Sequence, residues 1–137
     1  MKHSSYSIAI VMLLISTSVR SQQFVPVDGQ STVQFIITNL GFDVTGTFGG
    51  LQGSILFDEK NLGSSSVNVT INAGSVDTDN STRDKHLRGA DYFNVKTYPQ
   101  IRLSSVKIAK SVTPGYYVFF GKLTIKETTK EISFPFT

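Results

Sequence analysis

Cysteine is absent from this chain of 137 residues, and charged residues make up only 17% of it. The absence of cysteine excludes disulfide frameworks, thiolate nucleophiles, cysteine-ligated zinc or iron–sulfur centres and lipoprotein acylation. Hydrophobic residues at 39% and aromatic residues at 11% are nevertheless too frequent for a disordered chain. The composition therefore predicts one folded domain with an unusually uncharged body.

The first 21 residues have the organisation of a secretory signal peptide. Lys2 and His3 form a basic start, residues 8–15 are all apolar, and Val19 and Ser21 stand at the positions that a signal peptidase reads. The apolar run is shorter than the ~20 residues of a membrane span. We therefore expect cleavage after Ser21, which leaves a domain of residues 22–137 in the periplasm or outside the cell.

Much of the net positive charge belongs to this first segment. Lys2 and Arg20 lie within it, whereas every acidic residue follows it, so its removal lowers the formal net charge from +3 to +1. No run of basic residues interleaved with aromatic ones remains in the sequence. Nucleic-acid binding is therefore not expected.

After Gln23 the apolar residues mostly alternate with polar ones, at the period of two that is typical of β-strands. Asn39, Leu40 and Gly41 separate two such stretches and predict a hairpin turn. The strands are expected at 33–37, 42–48, 51–57, 67–71, 101–108, 116–125 and 132–136, after a short first strand near Phe24.

Residues 79–93 break the alternation. Ser81 followed three residues later by Asp84 matches a capping box, which predicts a short helix that starts there. Asp84 and Arg88 have the i,i+4 order that favours an ion pair on its surface, and Gly89 is a plausible stop.

Short consecutive strands with local turns and one helix predict an all-β antiparallel meander, either a sandwich or an up-and-down barrel. Glycines at the strand bends, and large apolar residues gathered on one strand face, favour the barrel. A barrel of about eight strands encloses enough space for one elongated ligand.

Several motifs resemble those of the YceI-like family. They are Gly46-Thr47-Phe48 followed by Gly53, Ser75-Val76-Asp77-Thr78, Arg83-Asp84-x-His86-Leu87-Arg88, Tyr98-Pro99, Gly121-Lys122-Leu123-Thr124-Ile125 and Thr129-Lys130. The resemblance implies a secreted bacterial protein with a lipocalin-like barrel and a hydrophobic tunnel for an isoprenoid lipid, such as a polyprenyl quinone. We accordingly expect a non-enzymatic carrier or sequestering protein that needs no cofactor and no metal.

The apolar strand residues supply a lining for such a tunnel. Because a period of two defines two strand faces without saying which one points inward, the choice of face is an inference. The expected ligand-binding residues are Val33, Phe35, Ile37, Phe42, Val44, Phe48, Ile55, Phe57, Val67, Val69, Ile71, Ile101 and Leu103.

The helical segment carries the one concentrated polar cluster, formed by Arg83, Asp84, His86 and Arg88. Three interpretations are open: the cluster holds a loop in place, contacts a lipid head group at the barrel mouth, or forms an enzyme site with a base and an anion clamp. His86 is the one histidine left after cleavage, and no Gly-x-Ser-x-Gly motif is present, so metal and serine-triad sites have no support.

Members of the family that this chain resembles continue beyond the position of Phe136 with strands that close the barrel. We therefore expect a C-terminally truncated domain, an incompletely closed barrel and self-association through its open C-terminal edge. A barrel fragment with a structural role and no ligand is the alternative to lipid binding.

Overall fold

A computed structural model of the chain describes residues 22–39 and 41–137. The expected signal peptide, residues 1–21, lies outside the described residues. The described part contains eight strands and one α-helix, as the alternation and its single interruption predict. They are β1 (Gln22–Phe24), β2 (Val33–Asn39), β3 (Phe42–Phe48), β4 (Gln52–Phe57), β5 (Ser66–Asn72), α1 (Ser81–Arg88), β6 (Gln100–Lys110), β7 (Tyr117–Ile125) and β8 (Thr128–Phe136).

The strands form two antiparallel sheets. Six of them pair in the order β1-β4-β5-β6-β7-β8, while β2 and β3 form a separate hairpin. A single bridge attaches the hairpin to the loop before α1: Thr47 N donates to Asp77 O at 2.8 Å, and Asp77 N donates to Thr47 O at 3.1 Å. The prediction of an antiparallel barrel that does not close is confirmed.

Cross-strand partners show which side chains share a face. Val69 lies opposite Leu103, which in turn lies opposite Leu123, so these residues of β5, β6 and β7 point to the same side. The register of β6 against β7 shifts between Ser105 and Lys107, where a bulge bends the strand. On the concave side of the six-stranded sheet, β5, β6 and β7 therefore share an apolar surface.

One cluster of buried core residues lies at one end of this surface, beneath α1. Its fully or nearly buried members are Phe48, Ala73, Val76 and Ile101. Leu87 of α1, Phe93 after it and Ile125 at the end of β7 pack against them. We call this region the helix end.

Two glycines let aromatic rings lie directly on the backbone. Gly46 is the cross-strand partner of Phe35, and a Cβ added there would overlap the Phe35 ring. At Gly121 an added Cβ would overlap both the Phe119 ring and the backbone oxygen of Ser104. Both positions therefore require a residue without a side chain for a steric reason, independent of backbone flexibility.

The N-terminus of α1 differs from the sequence prediction by one residue. Asn80 is the N-cap, and its side-chain oxygen accepts from Arg83 N at 3.0 Å. The predicted capping box with Ser81 as cap is wrong, because Asn80 is an equally good capping residue and Asp84 is used elsewhere.

Candidate functional site

The thirteen expected lining residues occupy every second position of their strands and therefore share one face in each strand. In the large sheet, Ile55 lies opposite Val67 and Ile71 opposite Ile101. In the hairpin, Val33 lies opposite Phe48, and Ile37 opposite Val44. Their exposure differs, however, because Phe42 is 77% exposed at the hairpin turn whereas Phe48 is 9% exposed beside the helix.

Part of this face forms a half-open apolar pocket of about 140 Å³, which we call the apolar cavity. It is lined by Val33, Leu51, Val69, Thr70, Ile71, Ile101, Leu103 and Leu123. Five of these eight are among the expected lining residues. Leu51, Thr70 and Leu123 are not. For Leu123 the sequence did carry a signal, because it continues the alternation of Tyr117, Phe119 and Gly121 along β7.

Aromatic rings fill the other end of the face, which we call the aromatic end. Phe57, Tyr117 and Phe136 form a group with ring centroids 4.8 to 5.9 Å apart. Phe119 and Phe134 stack beside them at 4.6 Å. Burial, and secondarily the neighbouring Glu59 carboxylate, raise the pKa of the Tyr117 phenol.

The polar cluster of α1 is organised around a buried threonine. Thr78 is 4% exposed and Asp84 is 5% exposed. Thr78 donates to Asp84 Oδ1 twice, from its backbone N at 3.0 Å and from its Oγ1 at 2.6 Å. Arg83 completes the arrangement, since its Nε donates to Thr78 Oγ1 and its Nη2 to Thr78 O, both at 2.7 Å.

Arg88 holds the same loop from the next turn of the helix. Its Nε donates to Gly74 O at 2.7 Å and its Nη2 to Val76 O at 2.6 Å. The ion pair expected between Asp84 and Arg88 is replaced by these bonds, because both side chains turn towards the loop before α1. Arg83, Asp84 and Arg88 thus hold this loop against the core, whereas His86 is exposed.

A larger pocket, which we call the helix pocket, lies between α1 and the end of the hairpin. Its volume is about 610 Å³. Its lining consists of Ile37, Thr38, Asn80, Thr82, Arg83, His86, Leu87 and Tyr92. The pocket and the apolar cavity are therefore separate in this structure, with Leu87 and the core of the helix end between them.

Within residues 22–39 and 41–137, no group of three His, Asp or Glu side chains is placed to hold a metal ion. In the same part of the chain, none of the helices combines the length and the hydropathy of a membrane span.

An antiparallel sheet curved around an apolar face, with a hairpin and one short helix at its end, defines an incompletely closed lipocalin-like fold. The YceI-like domain model matches residues 25–137, so the chain belongs to the YceI-like family.

Relatives of known sequence support the same assignment. A UPF0312 protein of Photorhabdus laumondii is 37% identical over 124 residues, which are 89% of this chain and 64% of that protein. A UPF0312 protein of Yersinia enterocolitica is 36% identical over 129 residues, 93% of this chain and 66% of the relative. The chain thus spans slightly less than two thirds of the length of these relatives.

Solved structures show the same architecture. Burkholderia cenocepacia BcnA superposes with a TM-score of 0.72 at 28% identity, over 78% of this chain and 67% of BcnA. The Campylobacter jejuni YCEI protein gives a TM-score of 0.61 at 32% identity, over 78% of this chain and 63% of that protein.

Proposed function

We propose that this chain binds the apolar tail of an isoprenoid lipid, a polyprenyl quinone or a related molecule, against the concave face of its sheet. The observation that carries the proposal is the half-open cavity formed by Val33, Val69, Leu103 and their neighbours, whose lining is almost entirely apolar. Each buried CH₂ group contributes roughly 0.8 kcal/mol, so a long tail can be held without a specific polar contact. The proposed contact residues are the thirteen lining residues named from the sequence.

The apolar cavity is smaller than the ~300–1,000 Å³ of ordinary ligand sites. At about 140 Å³ it holds a short part of a polyprenyl tail. Binding a longer tail requires neighbouring apolar groups to move. Along β7, the next large side chains after Leu123 on the same face are Phe119, whose ring lies over Gly121, and Tyr117. We infer that the tail extends towards the aromatic end by displacing them.

An enzymatic role for the polar cluster receives little support from its geometry. Asp84 and Thr78 are buried against each other, and Arg88 is bound to backbone carbonyl groups. These contacts serve to hold the loop before α1. Binding without catalysis is therefore the function we propose, and a structural role without ligand is the alternative that the extraction below tests.

The proposed setting is the periplasm or the cell exterior, where the protein acts as a carrier or sequesters its lipid. The basic start, the apolar residues 8–15 and the small residue Ser21 support export.

In the described part of the chain β8 pairs only with β7, so its other edge is open to pairing. We propose self-association through this edge, and size-exclusion chromatography with light scattering at several concentrations tests it.

The test of lipid binding is extraction of the purified chain with organic solvent, followed by mass spectrometry. Val69→Phe fills the cavity with a ring, and Asn68→Phe introduces the same ring on the opposite, exposed face of β5. We expect an isoprenoid in the wild type and in Asn68→Phe, and a clear loss in folded Val69→Phe. Recovery of no isoprenoid from any of the three proteins would favour the structural alternative.

A further inference from the structure

Phe119 is the first large side chain that β7 places beyond the apolar cavity. The residues of β7 on this face are Tyr117, Phe119, Gly121 and Leu123, and Leu123 lines the cavity. Phe119 is 1% exposed and is one of the two largest fully buried side chains in the described part of the chain. It therefore separates the cavity from the rest of the aromatic end.

The Phe119 ring is directed back along β7, towards the cavity. A Cβ added at Gly121 would overlap the far edge of this ring, at Cζ and Cε1. The ring thus occupies the space that a side chain at position 121 would fill, beside Leu123 on the same face. Along β7 the cavity is therefore followed directly by the Phe119 ring.

Packed neighbours keep the ring in this position. Ile108 of β6 is its cross-strand partner and is buried. Phe134 of β8 stacks on it, with ring centroids 4.6 Å apart and an interplanar angle of 18°. Because protein interiors are closely packed, the buried ring leaves its place only if such neighbours move with it. Phe134 is exposed on an edge strand, which makes it the neighbour that can give way.

We propose that Phe119 limits the length of the isoprenoid tail that this chain binds well, so that ligands with short prenyl chains are favoured. The inference rests on the proposed function and narrows the class of lipid. A tail that ends before the ring gains apolar contact with each added CH₂ group. A longer tail has to displace Phe119, and the contacts that the ring then loses offset the gain from the additional units.

The test uses three alcohols that differ only in chain length: geraniol, farnesol and geranylgeraniol. Titration calorimetry measures their affinities for the full chain, and circular dichroism checks the fold of each variant. Phe119→Leu shortens the side chain at the end of the cavity. Phe120→Leu is the matched control, because Phe120 lies on the opposite face of β7 and is exposed.

In the wild type, we expect a smaller gain in affinity from farnesol to geranylgeraniol than from geraniol to farnesol. Phe119→Leu should bind geranylgeraniol at least about tenfold more tightly than the wild type does, because the shorter side chain frees space beyond the cavity. Its affinity for geraniol should stay within about twofold of the wild-type value, since the shorter tail ends before the ring. Phe120→Leu should keep the wild-type affinities for all three alcohols.

Tryptophan fluorescence tests whether the tail reaches Phe119. The chain contains no tryptophan, so a single introduced tryptophan reports on its own position. In Phe119→Trp the emission should shift on addition of geranylgeraniol and stay unchanged with geraniol. Phe120→Trp, on the opposite face, should respond to neither alcohol.

A wild-type affinity that rises by the same factor with each isoprene unit would overturn the role of Phe119 and leave lipid binding intact, and this outcome depends on no variant. Equal changes for all three alcohols in Phe119→Leu would also overturn it, because they would reflect a general loosening of the core. If none of the alcohols binds to the wild type, the proposed function and this inference fall together.

Discussion

The helix end and the aromatic end bury the same concave face by different means. At the helix end, the packing of Phe48 and Val76 is reinforced by hydrogen bonds from Arg83 and Arg88 to a loop. The groups at the aromatic end meet through ring contacts. Hydrogen bonds depend strongly on angle and distance, while ring pairs tolerate several arrangements. The comparison indicates that the helix end is the more rigid of the two and the aromatic end the more adaptable.

The largest effect on stability is expected from Phe48→Ala. The Phe48 ring lies 5.1 Å from that of Phe35 and 5.4 Å from that of Phe93, so its removal leaves a cavity in the core. We expect the free energy of unfolding to fall by about 3–5 kcal/mol in urea titrations. Phe134→Ala at the aromatic end is the control, because Phe134 is already 38% exposed. Equal losses would show that the two ends do not differ in packing.

Asp84→Asn probes the hydrogen-bonded part of the helix end. The neutral amide is a weaker acceptor for the two Thr78 donors than the carboxylate, and we expect a loss of about 1.5–3 kcal/mol. Urea denaturation measures it, and hydrogen exchange at the Thr78 amide shows whether the loop opens. Asp91→Asn removes a charge from an exposed position and should have almost no effect. If hydrogen exchange at the Thr78 amide is the same in Asp84→Asn as in the wild type, Asp84 does not hold the loop in place.

The two glycines that carry aromatic rings should respond differently to alanine. Each substitution overpacks its site and should cost about 1–3 kcal/mol. At Gly46 the nearest atoms all belong to the Phe35 ring, so Phe35→Leu should relieve most of the penalty in a double-mutant cycle. At Gly121 the backbone oxygen of Ser104 also interferes, so Phe119→Leu should relieve little. Equal relief at both sites would contradict this account.

The strand content and the hairpin followed from the sequence because each depends on local alternation and turn residues. In β5, for example, Val67, Val69 and Ile71 share a face that the period of two defines. Alternation alone did not distinguish a barrel from a sandwich. The prediction of a barrel depended on the resemblance of the motifs to one family.

The hydrogen-bond partners within the polar cluster did not follow from the sequence, because these contacts form only in the folded chain. The i,i+4 spacing of Asp84 and Arg88 suggested a pair, yet the loop before α1 brings Thr78 to Asp84. The helix pocket was equally inaccessible, because the hairpin that supplies Ile37 and Thr38 is distant in sequence from α1.

The smallest effect on the free energy of unfolding is expected at alkaline pH, from the ionisation of Tyr117 and Tyr98. Burial is the main cause that raises the pKa of Tyr117 at the aromatic end, while a hydrogen bond to the Glu127 carboxylate is the main cause at Tyr98. An unfolded tyrosine ionises near pH ~10, below either folded value, so the folded chain retains protons that the unfolded chain releases. The two tyrosines therefore stabilise the folded chain fully below the pH at which an unfolded tyrosine ionises. This stabilisation is lost as the pH rises through the pKa of each tyrosine in the folded chain. Urea titrations between about pH 8 and 11 should show this decline, and Tyr117→Phe and Tyr98→Phe should each flatten it. A decline that persists unchanged in both variants would assign the alkaline sensitivity to other groups.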